Sequence, residues 1–198
     1  MKKIIGITII CFILAIAKSH GQQESYISIN YAMSFATGEL GDYISAASFR
    51  GAVFEYRMSV TDNILIGADV AWNVFYEKKS YDTYSSGTES LSGIQYRYQN
   101  AVPIMVTGEY LFMADNALKP YIGFGIGTMY SERSTEMGLY LIKENPWHFA
   151  IKPELGFFYG ISYSSSIKIS AKYYSGFSSG SLDNQGYFSI CVGMAFNI

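Results

Sequence analysis

The sequence predicts an all-β fold, an eight-stranded antiparallel up-and-down barrel that crosses a membrane. Three observations support this prediction. The segment 119–130 alternates apolar residues with Gly123, Gly125 and Gly127. Seven other segments alternate in the same way between an apolar face and a face of small or polar residues. The connections between the eight segments alternate long and short, as they do in outer-membrane barrels.

The glycine face of segment 119–130 indicates a crowded interior. Glycine weakens a strand unless another group approaches closely on its side, and a small closed barrel has an interior only wide enough for side chains. Ile122, Phe124 and Ile126 would then point outward to lipid. The alternative is a soluble lipocalin-like barrel with the apolar face inward. In such a soluble barrel the solvent-exposed face would carry few charges and many small residues. This composition suits a crowded interior better than a solvated surface, so the membrane barrel is favoured.

The composition agrees with a membrane barrel. Hydrophobic residues make up 49% of the chain, aromatic residues 17% and charged residues 15%, whereas an ordinary soluble domain has about 25% charged residues. The sequence contains no apolar run of about 20 residues, the length that a transmembrane helix needs.

Residues 1–21 have the pattern of a secretory signal peptide, which leaves residues 22–198 as the barrel domain. Lys2 and Lys3 precede the apolar run 4–17, and Ser19 and Gly21 are small residues before the cleavage point. An uncleaved anchor and a buried helix are the alternatives. Cys11 lacks the surroundings of a lipoprotein cleavage site.

Removal of the signal peptide changes the charge and the cysteine count. Three of the 14 basic residues and none of the 16 acidic residues lie in it, so residues 22–198 have 11 basic residues and a net charge of −5. This balance argues against nucleic acid as a partner. A single cysteine, Cys191, remains, so an internal disulfide is excluded.

Each strand is justified by its own period-two pattern. In the first strand Ile27, Ile29 and Tyr31 alternate with Ser28 and Asn30. The predicted strands lie near 27–35, 49–60, 64–77, 94–112, 119–130, 149–160, 167–173 and 188–198. The long connections are 37–48, 78–93, 131–147 and 176–186, and the short ones are near 61–63, 114–116 and 164–166. Pro103 and Pro153 fall inside strands, where we expect a β-bulge or a displaced strand boundary.

The same alternation places nine charged side chains in the interior. Unpaired charges there would be costly, so we expect them to pair between strands into a structural plug. A polar path for ions or protons is the alternative. The nine residues are Glu55, Arg57, Asp69, Arg97, Glu109, Lys152, Glu154, Lys168 and Lys172.

The sequence predicts no catalytic, cofactor-binding or metal-binding residues. His148 is the only histidine after residue 21, and it lies beside Trp147 near a strand end, as expected for an interfacial residue. One histidine and one cysteine do not make a metal site of the usual kind. The glycines of segment 119–130 lack the spacing and the following helix of a dinucleotide-binding motif.

Tyrosine and tryptophan collect near the strand ends and predict two aromatic girdles at the lipid–water boundaries. The predicted members are Trp72, Tyr76, Tyr96, Tyr98, Tyr130, Trp147 and Tyr173 towards the long loops, and Tyr56, Tyr110, Tyr121 and Tyr163 towards the short turns.

The chain resembles the OmpA/OmpW-like family of small outer-membrane β-barrel proteins of Gram-negative bacteria. The segments that carry the resemblance are 102–106 with 109–112, 119–127 and 152–156. The last strand resembles the carboxy-terminal signal read by the barrel-insertion machinery, through Gly193, Phe196 and Ile198, although such signals usually end in an aromatic residue. The resemblance implies an outer-membrane location and contact with membrane lipid, and no catalytic residues carry over.

We therefore expect a non-enzymatic outer-membrane protein with a structural or surface-interaction role through its four long loops. An extracellular ligand would bind at those loops. The alternative is OmpW-like binding or passage of a small apolar molecule, and a lipid-modifying barrel enzyme is less favoured.

Overall fold

The computed structural model describes residues 24–86, 89–114, 116–180 and 182–198. The signal peptide predicted for residues 1–21 lies outside these residues, so it and the domain boundary at Gln22 remain predictions. Within the described residues the chain forms nine strands and one short helix. They are β1 Ser25–Thr37, α1 Gly38–Tyr43, β2 Ser48–Thr61, β3 Ile64–Ser86, β4 Glu89–Leu111, β5 Leu118–Met137, β6 Tyr140–Glu144, β7 Trp147–Ser162, β8 Ser165–Gly176 and β9 Gln185–Asn197.

Eight of the strands close into a barrel. The ring runs β1-β2-β3-β4-β5-β7-β8-β9, and β9 pairs back to β1, with every pairing antiparallel. Strand β6 pairs with β5 and stands outside the ring, beyond the Tyr130–Trp147 pair at which β7 joins β5. The predicted eight-stranded antiparallel up-and-down barrel is confirmed.

The barrel has two different ends. We call the end at which β2 is connected to β3 the turn end. Two residues form this connection, and two residues also connect β7 to β8 at the same end. The loop end, where β1 passes to β2, carries α1 and the longer hairpins. The alternation of short and long connections follows because an up-and-down barrel returns to the same end at every second connection.

Two segments predicted to be loops, 78–93 and 131–147, are mostly strand. Strands β3 and β4 remain paired as far as Ser86 and Glu89. Strands β5 and β6 remain paired as far as Met137 and Tyr140. These extensions pass beyond the barrel, where most side chains are exposed or half-buried and a few, such as Gln95 and Met137, are buried. Neither face therefore needs a continuous apolar row. The loop prediction was wrong because it relied on that row.

The two strand prolines cause no β-bulge, contrary to the expectation. The β3–β4 register is the same on both sides of Pro103, with Val70–Ile104 and Asn73–Ala101 as flanking pairs. The β7–β8 register likewise passes Pro153 unchanged. Each proline keeps a partner on its other side, in β5 in both cases. The missing N–H therefore interrupts the pairing with one neighbouring strand only, and the residue pairs on either side of the proline keep the same register.

The outer wall is apolar and the interior polar. Ile122, Phe124 and Ile126 are about half exposed on the outside, and Glu109 and Lys152 are buried inside. The strict alternation in the sequence therefore corresponds to apolar side chains on the outside of the barrel and charged side chains in its interior.

Among the residues that the structure describes, no helix has the length and hydropathy to span a membrane.

Candidate functional site

The glycines of β5 make room for interior charges. A Cβ atom on Gly123 would lie 2.8 Å from Glu154 Cγ and 3.0 Å from Glu109 Cγ. A Cβ atom on Gly125 would lie 3.0 Å from Lys152 Cε. Such distances are too short for a side chain, so the crowding inferred from the glycine row is present.

Eight buried side chains form an interior charge cluster: Glu55, Arg57, Asp69, Glu109, Lys152, Glu154, Lys168 and Lys172. Arg57 lies at its centre. Its Nε donates to Glu109 Oε1 at 2.6 Å, and its Nη2 donates to Asp69 Oδ2 at 3.0 Å. Its Nη1 donates to the carbonyl oxygens of Tyr56 and Ala68. The guanidinium thus connects three strands, β2, β3 and β4.

Three lysines complete the interior charge cluster from β7 and β8. Lys152 Nζ lies 2.5 Å from Asp69 Oδ2 and 2.7 Å from Glu154 Oε2. Lys168 Nζ lies 2.6 Å from Glu55 Oε2, and Lys172 pairs with the other oxygen of Glu55. These pairs connect opposite sides of the barrel, as predicted for a structural plug.

The interior charge cluster contains four acidic and four basic groups, so it is formally neutral. One oxygen each from Glu55, Asp69 and Glu154 lies within 4.8 Å of the others, a spacing that could hold a metal ion. Arg57 and the three lysines already neutralise these carboxylates. A divalent cation would have to displace them, so the geometry favours ion pairing over metal binding.

Arg97 is not part of this cluster, although the sequence pattern grouped it there. It is partly buried near the loop end. Its Nε donates to Gln95 Oε1 at 2.6 Å and its Nη1 donates to the carbonyl oxygen of Tyr43 at 2.7 Å. The alternation correctly predicted that Arg97 lies on the inward face of β4. It did not predict how far along the barrel axis the side chain lies from the interior charge cluster.

Apolar clusters close both ends of the interior. At the loop end, Leu40 and Ile44 from the α1 region are buried with Phe75, Tyr174 and Tyr187. At the turn end the buried cluster contains Leu65, Leu111, Tyr121, Phe158 and Ala195. The interior charge cluster lies between them. Buried side chains therefore fill the barrel interior between the two apolar clusters among the described residues.

Tyr43 fastens α1 to the strands at the loop end. Its hydroxyl donates to the Ser134 carbonyl at 3.0 Å and shares a 2.6 Å hydrogen bond with Thr135 Oγ1. The guanidinium carbons of Arg133 and Arg97 lie 4.2 and 4.9 Å from the ring centre. Burial raises the pKa of the phenol, although Thr135 and the two arginines act in the opposite direction. This contact could not be inferred from the sequence pattern, because α1 lay within the predicted loop 37–48.

His148 points into the barrel and is buried, so its assignment as an interfacial residue was wrong. Trp147, the neighbour in sequence, faces outward. The His148 Nδ1 atom is 2.7 Å from the Phe177 carbonyl oxygen. Within the described residues no serine, threonine or cysteine side chain is hydrogen bonded to this imidazole. The hydrogen-bond partner of His148 in this part of the chain is thus a backbone carbonyl.

The residues predicted to form the aromatic girdles do not all lie on the outer wall. Trp72, Trp147 and Tyr110 are exposed on the outer wall. Tyr121, predicted in the turn-end girdle, is buried inside the barrel. It shares the inward parity of Gly123, and Lys168 Nζ lies 4.9 Å from the centre of its ring.

Three barrel strands continue beyond the barrel and form a loop-end sheet together with β6. It consists of residues 77–86 of β3, 89–97 of β4, 131–137 of β5, and all of β6. The Tyr96–Glu136 pair joins its two hairpins. From Tyr130 to Met137, β5 rises about 23 Å at roughly 3.3 Å per residue. The loop-end sheet is the largest feature outside the barrel ring among the described residues.

Comparison with known proteins identifies the fold. No protein-family model and no curated protein sequence matches the chain. Similar solved structures include neisserial surface protein A (NspA), at 14% identity and a TM-score of 0.58, over 87% of this chain and 96% of that one. Ail of Yersinia pestis, in complex with the heparin analogue sucrose octasulfate, has 13% identity and a TM-score of 0.54, over 90% of this chain and 100% of that one.

The outer membrane protease OmpT from Escherichia coli is also similar, at 9% identity and a TM-score of 0.52, over 91% of this chain and 99% of that one. Identities this low show a shared fold and leave activity open. The resemblance to small outer-membrane β-barrel proteins, inferred from sequence motifs, is therefore confirmed at the level of the fold.

Proposed function

We propose that the chain is an integral outer-membrane protein whose barrel anchors the loop-end sheet outside the cell. The sheet and the neighbouring loops then serve surface contact or envelope structure. The observation that carries this proposal is the closed interior. An interior filled by paired charges between two apolar clusters leaves the outer wall and the loop end as the surfaces free to act.

The outer wall supports the membrane location. Its side chains are apolar on every barrel strand, and Trp72 and Trp147 lie on it. Exposed apolar surface of this extent is unusual in a soluble monomer and marks an interaction surface. Acyl chains are the partner that fits a closed band around a barrel.

Passage of a small apolar molecule, the alternative inferred from sequence, is less well supported. A route through the lumen would have to break the Arg57–Glu109 and Lys152–Asp69 pairs. Each side chain would then be left charged in a buried site, which is strongly unfavourable.

An enzymatic role is also less well supported, although a protease has a similar fold. His148 has a backbone carbonyl as its hydrogen-bonding partner, and a nucleophile needs a base within hydrogen-bonding reach. We therefore propose a non-enzymatic role.

The loop end does not favour an anionic glycan of the kind bound to Ail. Binding of polyanions needs a positively charged surface. The described loop-end side chains include six basic and eight acidic residues. They are Arg50, Lys78, Lys79, Arg97, Arg133 and Lys143, and Glu39, Asp42, Glu77, Asp82, Glu132, Glu136, Glu144 and Asp183.

Paired cysteine labelling on intact cells tests the proposal. Leu139, at the loop end, and Tyr163, at the turn end, are both fully exposed. In a Cys191→Ser background, a membrane-impermeant maleimide is expected to label Leu139→Cys on intact cells, and Tyr163→Cys after permeabilisation alone. Equal labelling of both variants on intact cells, or labelling of neither, would contradict the proposed orientation.

A further inference from the structure

Strand β6 gives the loop-end sheet an open edge. It pairs with β5 on one side, and among the residues that the structure describes the strand order of the sheet ends at β6. Met137 and Tyr140 close a two-residue turn in which Gly138 has a φ of 60°. The residues that close such a turn exchange both hydrogen bonds, so the N–H and C=O groups of Leu141 and Lys143 point away from β5.

The open edge is apolar as well as unpaired. Relative exposure is 102% for Leu139, 66% for Tyr140, 61% for Leu141 and 64% for Ile142. The segment 137–142 contains no charged residue. Side chains on both faces of β6 are therefore available to a neighbour, together with the backbone groups between them.

The opposite edge of the same sheet is protected. There β3 carries Lys78, Lys79 and Asp82, and its register with β4 shifts between Lys79 and Asp82. Charges and bulges are the devices by which proteins prevent unwanted strand pairing at an edge. The edge of β6 has neither a charged residue before Lys143 nor a bulge, so it differs from an edge that is protected against strand pairing.

We propose that the open edge of β6 is a docking site for an extended, uncharged and apolar segment of a partner protein, which adds to the sheet as a further strand. This inference rests on the proposed surface role and names its partner class. A strand satisfies the free N–H and C=O groups of Leu141 and Lys143, and its side chains cover Tyr140, Leu141 and Ile142.

Two other occupants fit less well. A lipid surface would cover the apolar side chains, but acyl chains cannot hydrogen bond to the free backbone groups. A second copy in the same membrane presents β6 in the same direction relative to the membrane, so the two edges would meet in parallel. A separate segment can adopt the antiparallel pairing that predominates in proteins.

Amide hydrogen exchange of the full chain in lipid nanodiscs tests the proposal. The probe is a capped six-residue peptide of alternating valine and threonine. It is expected to slow the exchange of the Leu141 and Lys143 amides, whereas the Tyr140 and Ile142 amides are already bonded to β5. The same peptide, N-methylated at alternate residues, keeps its side chains but loses backbone donors, so it is expected to give no protection.

A pair of variants locates the site. Leu141→Pro removes an N–H from the open edge without removing a donor to β5, and we expect it to weaken peptide binding about tenfold. Tyr81→Pro, in the irregular part of the protected β3 edge, is expected to leave binding unchanged. A difference in migration between heated and unheated samples checks that both variants fold.

The inference would be overturned by equal protection by the N-methylated peptide, by protection by phosphatidylcholine vesicles without peptide, or by concentration-dependent self-association that protects Leu141 in the absence of peptide. If Leu139→Cys is labelled on intact cells but the valine–threonine peptide gives no protection, the docking inference fails and the proposed surface role stands. If Leu139→Cys is not labelled, the surface role itself fails.

Discussion

Arg57 on β2 and Glu109 on β4 are joined across the barrel interior by a 2.6 Å hydrogen bond from Nε to Oε1. The two strands are not neighbours, since β3 lies between them. The contact therefore passes through the lumen, where both side chains are buried. It ties the interior charge cluster into one unit and makes the cluster a part of barrel stability.

Replacement of Arg57 is expected to destabilise the barrel strongly. Arg57→Met keeps much of the side-chain volume but leaves Glu109 and Asp69 without their guanidinium partner. Loss of one member of a buried ion pair costs about 3–5 kcal/mol in free energy of unfolding. Urea titration of the protein refolded into lipid vesicles measures the change.

The exposed Arg50 provides the matched control for this variant. Arg50→Met is expected to change the free energy of unfolding by about 0.5 kcal/mol or less, because a surface substitution disturbs few contacts. Equal stability of the two variants would show that the interior charge cluster does not support the fold.

The interior glycines should tolerate side chains poorly. In Gly123→Val the new Cβ atom meets the Cγ atoms of Glu154 and Glu109. Both carboxylates are held by cationic partners and cannot easily withdraw. Overpacking of this kind costs about 1–3 kcal/mol, which urea titration in lipid vesicles would detect.

Gly108 on β4 is the control for this prediction, because a Cβ atom there meets nothing within 4 Å. Gly108→Val adds a β-branched residue to the outer wall and is expected to leave stability unchanged or slightly raised. A larger loss for Gly108→Val than for Gly123→Val would reverse the assigned inward and outward faces.

Tyr43 should control how firmly α1 closes the loop end. Tyr43→Phe removes the hydrogen bonds to Ser134 and Thr135, each with a net value of about 0.5–1.5 kcal/mol. Faster amide exchange in residues 38–44 is the expected result. Tyr84→Phe removes a tyrosine hydrogen bond within β3, to the Ser80 carbonyl, and is expected to leave that exchange unchanged.

The phenol of Tyr43 also predicts a pH dependence. Because its pKa is raised in the folded protein, folding favours the neutral form, and this contribution is complete below the ordinary value of about 10. It is lost as the pH rises through the raised pKa. The protection factor of the α1 amides, which divides out the base-catalysed rise of exchange with pH, should therefore fall above about pH 10 in the wild type, and this step should be absent in Tyr43→Phe.

The closed interior predicts a barrel without stable conductance. In planar bilayers the wild-type protein is expected to give no sustained current steps under conditions in which a general porin conducts. Reproducible open states would contradict the closed interior and would restore the passage of small molecules as a leading function.

The barrel itself could be predicted from the sequence because both faces of each barrel strand have a fixed chemical environment, which requires residues to alternate with a period of two. Lipid requires Ile122 and Phe124 outside, and charge pairing requires Glu109 and Lys152 inside. Eight of the nine charged residues assigned to the interior occupy one cluster for this reason. Tyr121 was misplaced because aromatic residues near a strand end suggested a girdle, although its parity with Gly123 indicated the interior.

The loop end could not be predicted in the same way. The strands of the loop-end sheet leave lipid, so the alternation that identified the barrel strands disappears. The role of Leu40 and Tyr43 depends on residues far away in the chain: Thr135 is 92 positions from Tyr43, and Tyr187, in the same buried cluster as Leu40, is 147 positions from Leu40. No local pattern records such contacts.

The central claim, that the apolar outer wall lies in acyl chains, is tested most directly by quenching of tryptophan fluorescence with brominated lipids. Trp72 and Trp147 are the only two tryptophans in the sequence, and both are exposed on the outer wall, at 60% and 56%. In vesicles of brominated phosphatidylcholine the emission is expected to fall well below that in the unbrominated lipid. Equal emission in the two lipids would contradict the account.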